Sequence, residues 1–177
     1  MVNNNSNSGV IYSDNAYVGL WVRILAILID SFSLLIIGLA IYIIWTLFQL
    51  PEKYFLIFVI ILSFIYLTVV KSSKTGTFAY ILLKLKVVDL NGNQPSLFKM
   101  ITRFALLVTG PLNIIIDMIW LTSEQTKQTL RDKIAGTYVI KQDSLPIELG
   151  IIKYKHLDVM GYALSIKEVQ RLNNNPT

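Results

Sequence analysis

Apolar residues run almost unbroken from Val18 to Leu50, with Arg23 and Asp30 the only charges, and the twenty positions from Ser31 to Leu50 carry none. At about 1.5 Å per residue, twenty residues reach across the roughly 30 Å of a bilayer's hydrocarbon. The pattern predicts one tilted or interface-extended transmembrane helix over about residues 20–50, with Trp21 and Trp45 as interfacial anchors and Pro51 as its stop. Tyr54 to Val70, YFLIFVIILSFIYLTVV, is uncharged throughout and predicts a second span over 54–70. The short link between the two makes them antiparallel neighbours.

A third apolar stretch, LFKMITRFALLVTGPLNIIIDMIWLT, is expected to form a span over about 100–122. It contains Arg103, Gly110-Pro111 and Asp117, and the proline removes a backbone donor, so this element is expected to be broken or re-entrant. Between the second and third stretches, Lys71, Lys74, Lys84, Lys86 and Lys99 stand against Asp89 alone, which places loop 71–99 in the cytoplasm. Inside that loop TFAYILLKLKVVDL is too short and too basic to span and reads as an interfacial helix or a buried amphipathic element. LNGNQPS has turn chemistry and Ser96 is a helix N-cap candidate.

The ends are polar. Residues 1–16 read as a flexible N-terminal arm, and residues 142–177 as a small polar C-terminal tail. In that tail Ser165 and Glu168 have capping-box spacing ahead of a short amphipathic helix, LSIKEVQRL. The fold class implied is all-α: a polytopic helical membrane protein with interfacial amphipathic segments.

Composition agrees with a membrane protein: 54% of the 177 residues are hydrophobic and 15% charged, against about a quarter charged in ordinary globular domains. The net charge of +5 sits in blocks flanking the apolar runs, which suits anionic lipid headgroups and not nucleic acid. With no cysteine, disulfides and thiolate chemistry are excluded. The single histidine, His156, lacks metal-ligand spacing, and there is neither a phosphate-binding G-x-x-x-x-G-K-[ST] nor a G-x-S-x-G elbow. No cofactor, metal or enzymatic activity is expected.

Three acids and one arginine are the candidate functional residues. An aspartate near a helix centre costs on the order of 2.5–3.5 kcal/mol to insert, so Asp30 must face protein or water. It either packs helices through a bond to Arg103, Arg131 or the hydroxyls of Ser31, Ser33 and Thr68, or binds a cation, proton or polar solute. Arg23 lies seven residues earlier on nearly the same face, about 10 Å away along the axis, so the two do not bridge directly. Asp117 follows Pro111 by six residues, where freed backbone groups suit cation coordination, or else lies at the interface beside Trp120.

LWVRILAILID (with Arg23 and Asp30), KTGTFAYILLKLKVVDLNG and QTLRDKIAGTYV occur in an order that resembles the RDD family of membrane proteins, named for an arginine and two aspartates. The resemblance covers about Tyr17 to Lys141. It makes Asp132 the second signature aspartate and leaves Asp117 outside the signature. Where the family's second block often carries basic residues, this chain has Phe78-Ala79-Tyr80, so no role for such residues carries over. Membership implies a latch in which Arg23 pairs with Asp132 at the membrane surface; taken alone, Asp132 reads as a capping or solvated carboxylate and Arg23 as a snorkelling residue on lipid phosphate. Two functions follow as expectations. One is a small carrier or carrier subunit for a cation or other small solute, acting as a homo-oligomer or with a partner membrane protein in the cell membrane. The other is a non-transporting membrane scaffold or accessory subunit.

Overall fold

The computed structural model describes residues 8–108, 117, 121, 126–159 and 162–171. Helix α1 (Leu20–Leu47) and helix α2 (Glu52–Ile65), which continues as a π-helical turn (Tyr66–Val70), form the expected antiparallel hairpin. The chain leaves α1 through Gln49, in the left-handed region, and Pro51, whose carbonyl accepts from the Trp45 indole at 3.3 Å. Edge-on rings then hold the tip together: Tyr42 on Phe55 at 5.4 Å and Trp45 on Phe55 at 5.8 Å. Only Ala26 and Asp30 of α1 are buried, and no residue of α2 is. Leucine, isoleucine and phenylalanine side chains are exposed all around the pair, which is the surface that lipid and not water stabilises. Both Leu20–Leu47 and Glu52–Val70 are long and apolar enough to cross a membrane.

The all-α expectation is overturned. Among the described residues five strands form two sheets: β1 (Ser8–Ile11), β2 (Leu85–Asp89), β3 (Thr137–Lys141), β4 (Glu148–Val159) and β5 (Tyr162–Arg171). After α2, helix α3 (Phe78–Leu82) stops at Leu83, Lys84 turns through a left-handed conformation, and LKVVD enters β2. The stretch expected to be one interfacial helix is therefore a helical turn followed by a strand. β-Branched Val87 and Val88 pair in antiparallel register with Val139 and Tyr138. Both faces of this ribbon are covered at its centre, so Val87-Val88 and Tyr138-Val139-Ile140 are apolar without alternation.

The period of two nevertheless sorts the side chains. Val88, Tyr138 and Ile140 face Val10, Tyr12, Ala16 and Tyr17, while Leu85, Val87 and Val139 face Ala26 of α1, Ala79 and Tyr80 of α3, and Met100. The N-terminal arm is thereby part of the core from Ser8 onward: β1 pairs with β4, Val10 N donates to Leu90 O at 2.7 Å, and Tyr12, Tyr17 and Tyr138 pack with ring centroids 5.5–6.4 Å apart.

The C-terminal tail is also structured. Residues 164–171 lie in β5, not in a helix, because β4 offers β5 ten paired positions and Ile152 and Val169 cover the tyrosine cluster. The Ser165–Glu168 spacing thus has a different use: Glu168 faces Lys153 across the ladder and binds buried Lys133 Nζ at 3.2 Å. Of the third apolar stretch, helix α4 (Leu97–Val108) is described, starting after Ser96 as expected. Its inner face carries Met100 and Arg103, and its outer face exposes Leu97, Phe98 and Val108. These twelve described residues reach about 18 Å. The Gly110-Pro111 break lies outside the described residues.

Candidate functional site

Helix α5 (Leu130–Ala135) is one and a half turns long, and its geometry is set by its ends. Thr129 Oγ1 accepts from Asp132 N at 3.2 Å and Asp132 Oδ2 accepts from Thr129 N at 3.4 Å, a reciprocal capping box. Gly136, at φ 66°, ends the helix in the left-handed region. Capping and Gly termination together turn Asp132 inward, where it has no solvent exposure.

Two guanidiniums meet it there. Arg23, in the first turn of α1, donates from Nη1 to Asp132 Oδ2 at 2.6 Å, from Nη2 to the Lys127 carbonyl at 2.7 Å and from Nε to the Val18 carbonyl at 3.1 Å. Arg103 of α4 brings Nη2 to 2.7 Å from Oδ1, an ion pair at contact distance without hydrogen-bond alignment. Burial alone would raise the Asp132 pKa. Arg103, Arg23 and Arg131 outweigh that, and the carboxyl is held well below the usual carboxylate range. The latch contact expected between Arg23 and Asp132 is thus a three-element node joining α1, α4 and α5.

Asp30 sits in a separate node one level deeper along α1. Its Oδ1 accepts from Tyr66 Oη at 3.1 Å and Ala79 N at 3.2 Å, and its Oδ2 from Thr77 Oγ1 at 3.0 Å and Lys71 Nζ at 3.3 Å. The π-helical turn explains how two of these donors reach one carboxylate. In an α-helix, positions five apart such as Tyr66 and Lys71 point about 140° apart. Wound with i→i+5 bonds, they come to nearly the same face. Ala79 N is one of the free amides of the first turn of α3, so Asp30 also caps that helix from outside. Lys71 Nζ lies over the Tyr80 ring, 4.6 Å from its centroid.

Asp117 is buried and pairs with Arg131, whose Nε is 3.0 Å from Oδ2 and whose backbone N donates to Oδ1 at 3.4 Å. Among the described residues no three His, Asp or Glu side chains converge on a metal position.

The order of these contacts follows that of three sequence blocks, and a family model matches residues 17–136, described as the RDD family. The chain belongs to the RDD family. No curated protein and no solved structure matches it. Family membership and the two long apolar helices together point to a membrane protein.

In this RDD protein the signature residues do not form one cluster. Arg23 and Asp132 meet; Asp30 does not join them. Asp30 bonds none of the partners expected from the sequence, and Arg103 and Arg131, two of those candidates, pair with Asp132 and Asp117 instead. The residues that do hold Asp30, Tyr66, Lys71 and Thr77, carry a weaker signal. Tyr66 lies inside the second apolar run, Lys71 directly follows it, and Thr77 precedes a helical turn as an N-cap residue would. Nothing in the periodicity marks the π turn that brings the first two together.

Proposed function

We propose that this RDD protein is a multi-pass membrane scaffold or accessory subunit, a two-span anchor that holds a folded β-layer at one face of the cell membrane. The supporting observation is the saturation of Asp30. Four donors from the end of α2 and the start of α3 close on it, so the one carboxylate within α1 has its bonding used to fix the hairpin to α3. An acid that carries a cation needs donors that yield; one held by a lysine, two hydroxyls and a backbone amide serves packing.

The start of α1 and the end of α2 lie at the same end of the hairpin, and the lysines of loop 71–99 follow directly. The positive-inside rule assigns that end, with the β-layer, to the cytoplasm. The exposed sides of α1 and α2 then offer a partner membrane protein, or a second copy, a surface for association within the bilayer.

Asp30→Asn tests the reading. The expected outcome is reduced abundance and a lower unfolding temperature, because Lys71 loses its counter-charge. The carrier reading, for a cation or other small solute, replaces it if wild-type protein in vesicles exchanges cations and Asp30→Asn stops the exchange while abundance and melting are unchanged.

A further inference from the structure

Between α1, the end of α2 and α4 lies a cavity of about 60 Å³ whose charged lining residues are Arg23, Lys71, Arg103 and Arg131. Among the described residues none of its lining is acidic. Asp132, Asp30 and Asp117, which pair with these cations, stand behind them. A single water needs about 10–15 Å³ of such space, so the cavity has room for a group larger than one water. Arg103 is only 8% exposed, and its Nη1 has no hydrogen-bond partner. The charged residues of the wall are therefore all cations set among apolar ones, and a buried guanidinium N–H without a partner is a donor that an anion beside it would satisfy.

The cavity does not end there. A second space, about 230 Å³, shares Ile27, Leu67, Lys71, Leu107 and Arg131 with it and continues along α1 past Leu28 and Leu34. This extension is largely apolar, with Asp30, paired to Lys71, and Ser31 also on its wall, and it follows α1 away from the cationic end. Arg23 in the first turn of α1 and Lys71 just past the π turn set the cationic end where headgroups meet hydrocarbon.

We propose that the joined cavities form a binding site for one anionic glycerophospholipid, its phosphate among Arg23, Lys71, Arg103 and Arg131 and an acyl chain in the groove past Leu28 and Leu34. A free anion uses only the first half of such a site; a zwitterionic lipid carries a choline ammonium into a ring of cations. The lipid phosphate supplies acceptor oxygens to Arg103 Nη1 while the chain removes Leu34 and Leu67 from contact with mobile lipid.

Native mass spectrometry of the detergent-purified protein tests this, with phosphatidylglycerol and phosphatidylcholine of identical chains added in turn. Phosphatidylglycerol is expected to be retained about tenfold more, the value of roughly one charge-assisted hydrogen bond. Leu34→Trp, which fills the apolar groove and leaves every charge in place, is expected to abolish the adduct. Arg103→Gln should bring the two lipids towards equal retention. Because Arg103 also pairs with Asp132, Leu34→Trp decides if that variant does not fold. Equal retention of the two lipids by the wild type, an undiminished adduct in Leu34→Trp, or displacement of the lipid by excess inorganic phosphate would each overturn the proposal, the last by reassigning the site to a soluble anion.

Discussion

Replacing Asp132 by Asn isolates the charge at the Arg23–Arg103 node. Asparagine keeps the size of the side chain and an acceptor for the Thr129 amide, so the capping box survives. What is lost is the negative charge between two guanidiniums that lie 2.6 and 2.7 Å from it, at a position with no solvent exposure. Removing one partner of a buried ion pair costs about 3–5 kcal/mol, because the other charge remains desolvated and unpaired. Here two cations are left, although Arg23 keeps its bonds to the Lys127 and Val18 carbonyls, which moderates its share. At about 2–4 °C per kcal/mol for a chain of this size, the melting temperature should fall by roughly 6–20 °C. Intrinsic tryptophan fluorescence in a thermal ramp, in detergent, measures it. A fall smaller than about 2 °C would refute the reasoning, since it would mean that the guanidiniums are solvated or paired elsewhere at no loss.

The same node sets a pH dependence. The folded Asp132 pKa is depressed below the unfolded carboxylate value of about 3.9, so its contribution is fully present above about pH 5 and is lost as pH falls towards the folded value. The melting difference between wild type and Asp132→Asn should therefore hold steady down to about pH 5 and shrink on further acidification; a difference that grows in acid contradicts the assignment. Exchanging the pair, Arg23→Asp with Asp132→Arg, is expected not to restore the abundance lost in the single variants. The new arginine would face Arg103, now 2.7 Å from the carboxylate, and recovery to wild-type levels on membrane immunoblots would show that Arg103 is not coupled. Gly136→Ala should cost about 1–2 kcal/mol through its positive φ alone, read as a lower melting temperature. Space is not the obstacle there, since an added Cβ meets Lys167 Cδ at 3.4 Å.

The long apolar helices of this molecule were legible from the sequence, and the parts that tertiary pairing stabilises were not. A long helix satisfies its own backbone, so length and hydropathy suffice to find α1 and α2. The same holds for signals confined to one turn: Ser96 before α4, Gly136 after α5 and the Asn91-Gly92 turn, where Asp89 Oδ1 takes the Asn91 and Asn93 amides at 3.0 and 2.9 Å. Strands need a partner. VVD in β2 and YVI in β3 are some fifty residues apart, buried on both faces, and lack the alternation that would mark them.

The candidate site divides along the same line. Arg23 stood out as a charge at the edge of an apolar run, whereas Asp132 stood out only through the family resemblance, since taken alone it reads as a capping or solvated carboxylate. Their neighbour Arg103 was visible as a cation in an apolar stretch, yet its partner depended on how α4 docks beside α5, which no local pattern encodes. Asp30 shows the limit most clearly. Its cost in the bilayer is a property of one helix, whereas its compensation comes from a π turn, a lysine, a threonine and a backbone amide drawn from three later segments. A buried acid in a span thus signals that donors exist without naming them. Whether those donors can yield, and not the acid's presence, separates a packing residue from a transport residue.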